Sequence, residues 1–141
     1  MTPPNPLLDF SDLPHFQAIE ARHVEPAVDT LLAAARATIE RVATDTAAPT
    51  WRTLVEPIAD VLDPLDRAWA VVGHLHAVAD TPELRAAYRA SQPKVVAFHA
   101  ELAQDPRLFA RYRALRDGPA YPMLDAAQRK LVAEALRRAE E

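Results

Sequence analysis

The sequence predicts an all-α protein, an antiparallel bundle of about five helices preceded by an extended, proline-rich N-terminal arm. Along most of the chain, apolar residues recur at spacings of three and four, the period of one helix face. Capping residues, often followed by proline, stand where these patterns begin. No useful length of chain alternates with the period of two typical of a half-buried strand, so we expect no sheet.

Size and charge limit the possible classes of protein. The chain has 141 residues, a formal net charge of -4, no cysteine, two glycines and 13 prolines. A chain of this length can bury about two-thirds of its unfolded surface, so a core can form without disulfides or metals. It has neither a membrane-length apolar run nor a secretory signal pattern, and its acidic balance does not suit phosphate binding. We expect a soluble, cytoplasmic protein without nucleic-acid or membrane partners.

The chain divides into an arm, residues 1–22, and a helical domain, residues 23–141. The arm carries isolated apolar anchors without a sustained period, namely Leu7, Leu8, Phe10, Leu13, Phe16 and Ile19. From Val24 an amphipathic pattern predicts a helix that has Pro26 in its first turn and ends near Thr44.

The second helix is predicted to begin after an N-cap at Thr50 and to be apolar on more than one side, as central helices are. Pro57 and Pro64 should kink it or divide it into two joined segments, and Pro64 could even begin a new helix. Trp51 and Trp69 share its main apolar stripe and are interpreted as core residues, not as a stacking platform.

Two further helices have a capping residue followed by proline, at Thr81 and at Asp105. The first should be kinked at Pro93. Its apolar stripe comprises Leu84, Tyr88, Ser91, Val95, Phe98 and Leu102. The second should end at Gly118, with that glycine in the left-handed conformation.

A capping box of Asp125 and Gln128 predicts the last helix. Its pattern stops at Glu141 without an ending signal, so we expect the chain to be part of a longer protein, and a frayed natural terminus is the alternative. Apolar surface left uncovered by such a division is expected at Leu131 and Leu136 of this helix, or at Val71 and Val78.

The histidines do not form a recognisable metal site. His74 and His76 are about 200° apart on a helix, and His76 with Asp80, one turn further on, lacks a third ligand. His99 should border the core, whereas His15 and His23 should satisfy backbone groups near the arm.

Nucleophilic and phosphate-binding motifs are also missing. The H-E-x-x-H signature of zinc peptidases does not occur, and neither serine, Ser11 or Ser91, stands in a G-x-S-x-G elbow. Two glycines cannot build a phosphate-binding loop. We therefore assign no catalytic, cofactor-binding or metal residue, and we expect the chain alone to be inactive.

The arginines allow two interpretations. Arg85 and Arg89 lie on one predicted helix, and a shorter one carries Arg107, Arg111, Arg113 and Arg116. A solvated face with acidic neighbours is favoured, and a site for an anion or a peptide carboxylate is the alternative. Only Arg107 and Arg111 are aligned along one face.

Four segments together resemble one family. NPLLDFSDLPHFQAIEARHVEPAV (residues 5–28) is similar to the beginning of the oligopeptidase A branch of the thimet-type zinc metallopeptidases. TWRTLVEPIADVLDPLDRAWAVVGHLHAV, TPELRAAYRASQPKVVAF and LFARYRALRDGPAYPMLDAAQRKLVAEALR resemble later segments in the same order. The resemblance covers nearly the whole chain, although Pro64 departs from it.

The resemblance implies that the chain is the N-terminal helical part of a zinc-dependent oligopeptidase, a protease of short peptides. In that family the zinc ligands come from H-E-x-x-H and a later glutamate near the C-terminus, and no position here matches them. The chain would form one wall of the substrate channel. Zinc would belong to the parent, and the partners would be the remainder of the parent and its peptide substrates. The alternative is a free-standing helical adaptor or oligomerisation module without enzymatic activity.

Overall fold

The computed structural model describes residues 5–11 and 16–140. For residues 139 and 140 it describes the backbone alone. Five α-helices follow one another: α1 (Ala21–Thr44), α2 (Glu56–Val78), α3 (Pro82–Ala103), α4 (Pro106–Asp117) and α5 (Ala126–Glu140). No strand occurs among the described residues, and the all-α prediction is confirmed.

The contacts of the chain divide it into two units. The first unit consists of Met1–Ala35 and Val61–Phe98, and the second consists of Arg36–Asp60 and His99–Glu141. The boundaries therefore fall inside α1, α2 and α3 and not at a linker.

The N-terminal segment contains short 3-10 turns, Pro6–Leu8 and Phe16–Ala18. Asn5 caps the first turn by accepting from the Leu7 amide at 3.0 Å, and its side-chain amide donates to the His23 carbonyl at 2.8 Å. Of the predicted anchors, Leu7 is buried and Phe16 is exposed, whereas Leu13 lies outside the described residues.

Helix α1 begins three residues before the predicted start and ends at Thr44 as predicted. The early start follows from His23, whose amide donates to the Glu20 carbonyl at 2.9 Å while its Nδ1 accepts from the Glu20 amide at 2.9 Å. Pro26 consequently lies inside the helix and not in its first turn.

A π-helical turn, Trp51–Val55, precedes α2. Thr50 caps it, and Thr53 completes a reciprocal capping box, with bonds of 3.2 and 3.0 Å. Pro57 has no amide hydrogen to donate to the carbonyl four residues earlier, and its ring would clash with that carbonyl in a regular α-helix. The wider π-helical turn before the proline accommodates both the missing bond and the ring. The prediction of joined segments is confirmed at this point.

Pro64 and Pro93 do not break their helices. Helix α2 continues through Pro64, so the interpretation of this proline as a new helix start is wrong, and α3 continues through Pro93. Each proline removes one backbone bond. Packing of the neighbouring apolar turns, with Leu65 and Val95 almost completely buried, outweighs that loss.

The predicted caps of the later helices are present. Thr81 accepts from the Leu84 amide at 3.1 Å, and Asp105 accepts from the Arg107 amide at 2.9 Å. Asp125 and Gln128 exchange bonds of 2.8 and 2.9 Å.

Gly118 ends α4 without the left-handed conformation that the sequence predicted. Its φ of -97° and ψ of 178° are extended. The following residue, Pro119, favours extended backbone in the residue before it. A glycine is still required, because a Cβ atom at this position would lie 2.8 Å from the Ala114 carbonyl oxygen.

Each unit has its own set of buried side chains. In the first unit these are Leu7, Val24, Ala27, Val28, Leu31, Leu32, Ala35, Leu65, Ala68, Val72, Leu84, Ala87, Ser91, Val95 and Phe98. In the second they are Ile39, Val42, Ala43, Leu54, Val55, Ile58, Leu108, Leu115, Leu124, Val132 and Leu136, and there α4 packs against α5. None of the described helices has the length and apolar character needed to cross a membrane.

Candidate functional site

His23, His74 and His76 make separate structural contacts. His74 lies against the Phe16 ring, with centroids 5.2 Å apart, and His76 stacks on Tyr88 at 4.2 Å. His23 is bonded to Glu20 as described above, and His99 is exposed next to buried Phe98. His15 lies outside the described residues. The prediction that His23 satisfies a backbone group is confirmed.

These positions do not fit a zinc site. Within residues 5–11 and 16–140, no three side chains of the metal-ligating types come together. Asp80, the suggested partner of His76, instead accepts from Arg85 Nη2 at 2.7 Å. The Arg85 hydrogen bond lowers the pKa of the Asp80 carboxyl below its ordinary value.

Three aromatic rings of the first unit form a continuous stack, hereafter the ring stack. Tyr88 of α3 lies parallel to Trp69 at 5.0 Å and to His76 at 4.2 Å, with 13° between the planes in both pairs. Trp69 and His76 are two turns apart on α2, a rise of about 10.5 Å, so a ring between them can contact both. The interpretation of Trp51 and Trp69 as core residues is wrong, because both are only half-buried and Trp69 is also stacked on Tyr88.

Gly73 lies between the two α2 members of the ring stack. A Cβ atom built on it would meet no atom within 4 Å. The missing side chain therefore leaves open space on the helix face that carries the rings.

Two aligned arginines of α4 anchor it within the second unit. Arg107 donates to Glu40 of α1 at 2.9 Å and to Asp105 at 3.2 Å. Hydrogen bonding and the positive charge of Arg107 lower the pKa of Glu40. For Asp105 burial would raise the pKa, but the hydrogen bonds from the Arg107 side chain and backbone outweigh it, and the pKa is lowered.

Arg111 departs from the favoured interpretation of a solvated arginine face. Its side chain is only 12% exposed, and Nη1 donates to the Ala47 carbonyl at 2.6 Å. The other arginines of α4 agree with that interpretation, since Arg113 lies over the Phe109 ring and Arg116 pairs with Asp117 at 3.2 Å.

Apolar side chains are exposed in both units. Met123 is 86% exposed and Leu131 44% in the second unit, and Val78 is 66% exposed in the first. Exposure of Leu131 and Val78 was predicted. Leu136 is buried, which corrects its prediction, because it lies on the side of α5 that also buries Val132.

The sequence missed the ring stack and the burial of Arg111. The spacing of seven residues puts Trp69 and His76 on one helix face, two turns apart, and this is the signal for a third ring between them. The spacing does not say which ring of α3 would enter, and nothing in the sequence marks Arg111 apart from its alignment with Arg107.

The family model for the neurolysin and thimet oligopeptidase N-terminal domain matches residues 28–141. The chain therefore belongs to this family of peptidase N-terminal domains, and the resemblance found in the sequence is confirmed.

Individual relatives agree with the family match. Oligopeptidase A of Escherichia coli is 42% identical over 133 residues, which is 94% of this chain and 20% of the relative. The probable cytosolic oligopeptidase A and the organellar oligopeptidase A of Arabidopsis thaliana are 37% and 38% identical over 96% of the chain. They are covered over 19% and 17% of their lengths, so the chain spans about a fifth of the relatives that it matches.

Proposed function

We propose that this chain is the N-terminal helical part of a zinc-dependent oligopeptidase A-like enzyme and forms one wall of its substrate channel. The observation that carries the proposal is the family match over residues 28–141, together with relatives named oligopeptidase A. Hydrolysis through a metal-activated water needs several ligands and a general base in one place. We assign those groups to a different part of the parent.

The described side chains support this division of labour. His74 and His76 make ring contacts and His23 makes a backbone bond, and no step of peptide hydrolysis is derived from these three side chains. The exposed side chains of Met123 and Leu131 offer apolar contacts to the remainder of the parent. The cytoplasm is the compartment we propose, in line with the absence of cysteine.

A chimera tests the proposal. The segment of Escherichia coli oligopeptidase A that this chain matches is replaced by the chain, and hydrolysis of short quenched-fluorescence peptides is measured. We expect chelator-sensitive turnover by the chimera and none by the isolated 141-residue chain, with or without added zinc. The recipient enzyme with its own segment restored is the control.

Two results would contradict the proposal. One is a folded chimera that binds zinc but does not cleave peptides, which would favour the adaptor alternative if the isolated chain also self-associates. The other is turnover that co-elutes with the isolated chain and disappears on replacement of His76.

A further inference from the structure

The guanidinium of Arg111 has two donors for which the described residues provide no acceptor. Nε and Nη2 are both buried without a hydrogen-bond partner, although Nη1 is bonded to Ala47. Such groups are rare in folded proteins, because a buried charged donor without an acceptor loses its hydration and gains nothing. An acceptor is therefore expected along this edge of the guanidinium.

The shape of the open edge indicates what the acceptor is. Nε and Nη2 point to the same side of the planar group, and this pair binds a carboxylate through two parallel hydrogen bonds. Both atoms are inaccessible to solvent, so a carboxylate from the chain itself is favoured over one from outside.

Asp45 supplies a carboxylate at this place. Its Oδ2 lies 3.8 Å from Arg111 Nη2, which is close enough for ionic attraction but too far for a hydrogen bond. A shift of about 1 Å would close the gap. Asp45 Oδ1 accepts from the Ala47 amide at 3.0 Å, and Arg111 Nη1 donates to the Ala47 carbonyl. Both side chains therefore bind the backbone of the same residue.

We propose that Asp45 and Arg111 form a latch that fastens residues 45–47 to α4. In the closed position, the two carboxylate oxygens of Asp45 accept from Nε and Nη2 of Arg111, and Nη1 keeps its bond to the Ala47 carbonyl. The latch fixes the segment that leads to the Thr50 cap, and thereby the start of the π-helical turn. The inference does not depend on the proposed peptidase function.

Nuclear magnetic resonance of the 141-residue chain tests the latch. We expect through-hydrogen-bond coupling between Arg111 Nε and the side-chain carboxylate carbon of Asp45. In Asp45→Asn, which keeps the size but loses the charge and one acceptor, the Arg111 Nε–H should exchange with solvent about tenfold faster. Asp117→Asn is the matched control, since it changes an exposed carboxylate beside Arg116 and should leave this rate unchanged.

Arg111→Lys supplies a second comparison, because an ammonium keeps the charge but not the two parallel donors. It should release the Ala47 amide to faster exchange, whereas Arg113→Lys on the same helix should not. If Arg111→Lys fails to fold, the coupling and the Asp45→Asn rate still decide. Absence of the coupling, with equal Nε–H exchange in Asp45→Asn and Asp117→Asn, would overturn the latch.

Discussion

The two units stabilise their helices with different side chains. The first unit carries five Lys and Arg against nine Asp and Glu, which is the whole net charge of the chain, and joins α2 to α3 through the ring stack. The second carries eleven of each sign and joins α4 to α1 through Arg107. Packing of aromatic rings changes little with salt, whereas exposed ion pairs such as that of Arg107 with Glu40 weaken as salt is added. The ring stack is therefore the contact that salt affects least, whereas ion pairs occur in both units, Lys94 with Asp29 in the first and Arg107 with Glu40 in the second.

The largest expected effect comes from a matched pair of core leucines. Leu65 of the first unit and Leu115 of the second are both completely buried. Replacing either by alanine removes packing and leaves a cavity, so the free energy of unfolding should fall by about 2–5 kcal/mol. Urea denaturation followed by circular dichroism measures this loss.

Hydrogen exchange on the same two variants distinguishes the units. If the units open separately, Leu65→Ala should lower amide protection mainly in the first unit and Leu115→Ala mainly in the second. Equal loss of protection in both units from either variant would show that the chain opens as a whole.

The two glycines, one in each unit, should respond to alanine in opposite directions. In Gly118→Ala the new methyl group would meet the Ala114 carbonyl at 2.8 Å, and stability should fall by about 1–3 kcal/mol. In Gly73→Ala it meets no atom within 4 Å, and the better helix propensity of alanine should raise stability by about 0.5–1 kcal/mol. Thermal unfolding of both variants checks the prediction, and a stabilised Gly118→Ala would contradict the described end of α4.

The smallest expected effect compares the acid dependence of the ion pairs in the two units. Because the pKa values of Glu40 and Asp105 are lowered in the fold, the two groups stabilise it fully above their ordinary values of 4.5 and 3.8. That contribution is lost as the pH falls through the folded-state values. Arg107→Gln should therefore lower the midpoint of thermal unfolding slightly at pH 6, by about 2 °C or less, and hardly at all once the pH lies below both folded-state values.

Arg85→Gln provides the corresponding variant of the first unit. It removes the pairing that lowers the pKa of Asp80, so its effect should vanish over the same acid range but should be smaller, since one carboxylate is involved and not two. A midpoint difference for Arg107→Gln that persists unchanged below both folded-state pKa values would show that the packing of Arg107 matters more than its charge.

The four capped starts were predictable because capping is local chemistry. The side chains of Thr50, Thr81, Asp105 and Asp125 reach amides two or three residues away, and a single sequence contains everything those bonds need. The continuity of α2 through Pro64 was not predictable in the same way. It depends on apolar contacts made far along the chain, and these outweigh one lost backbone bond.

The features that define the candidate site depend on distant partners. Tyr88 had to be recognised as the ring between Trp69 and His76, and Arg111 as the donor to Ala47, which is 64 residues away. Helical spacing placed these residues on faces but did not say which faces meet. The left-handed conformation predicted for Gly118 was wrong for a different reason. Pro119 favours extended backbone in the residue before it, and this preference outweighed the conformational freedom of glycine.

The ring stack also gives the chain a built-in optical label. Each unit contains one tryptophan, Trp69 in the first and Trp51 in the second. The indole of Trp69 is stacked on the Tyr88 ring of α3. Its fluorescence emission therefore depends on the distance between α2 and α3. The indole of Trp51 lies in the π-helical turn and follows the start of α2. With one indole replaced by phenylalanine, the fluorescence of the other describes a single unit without any attached dye.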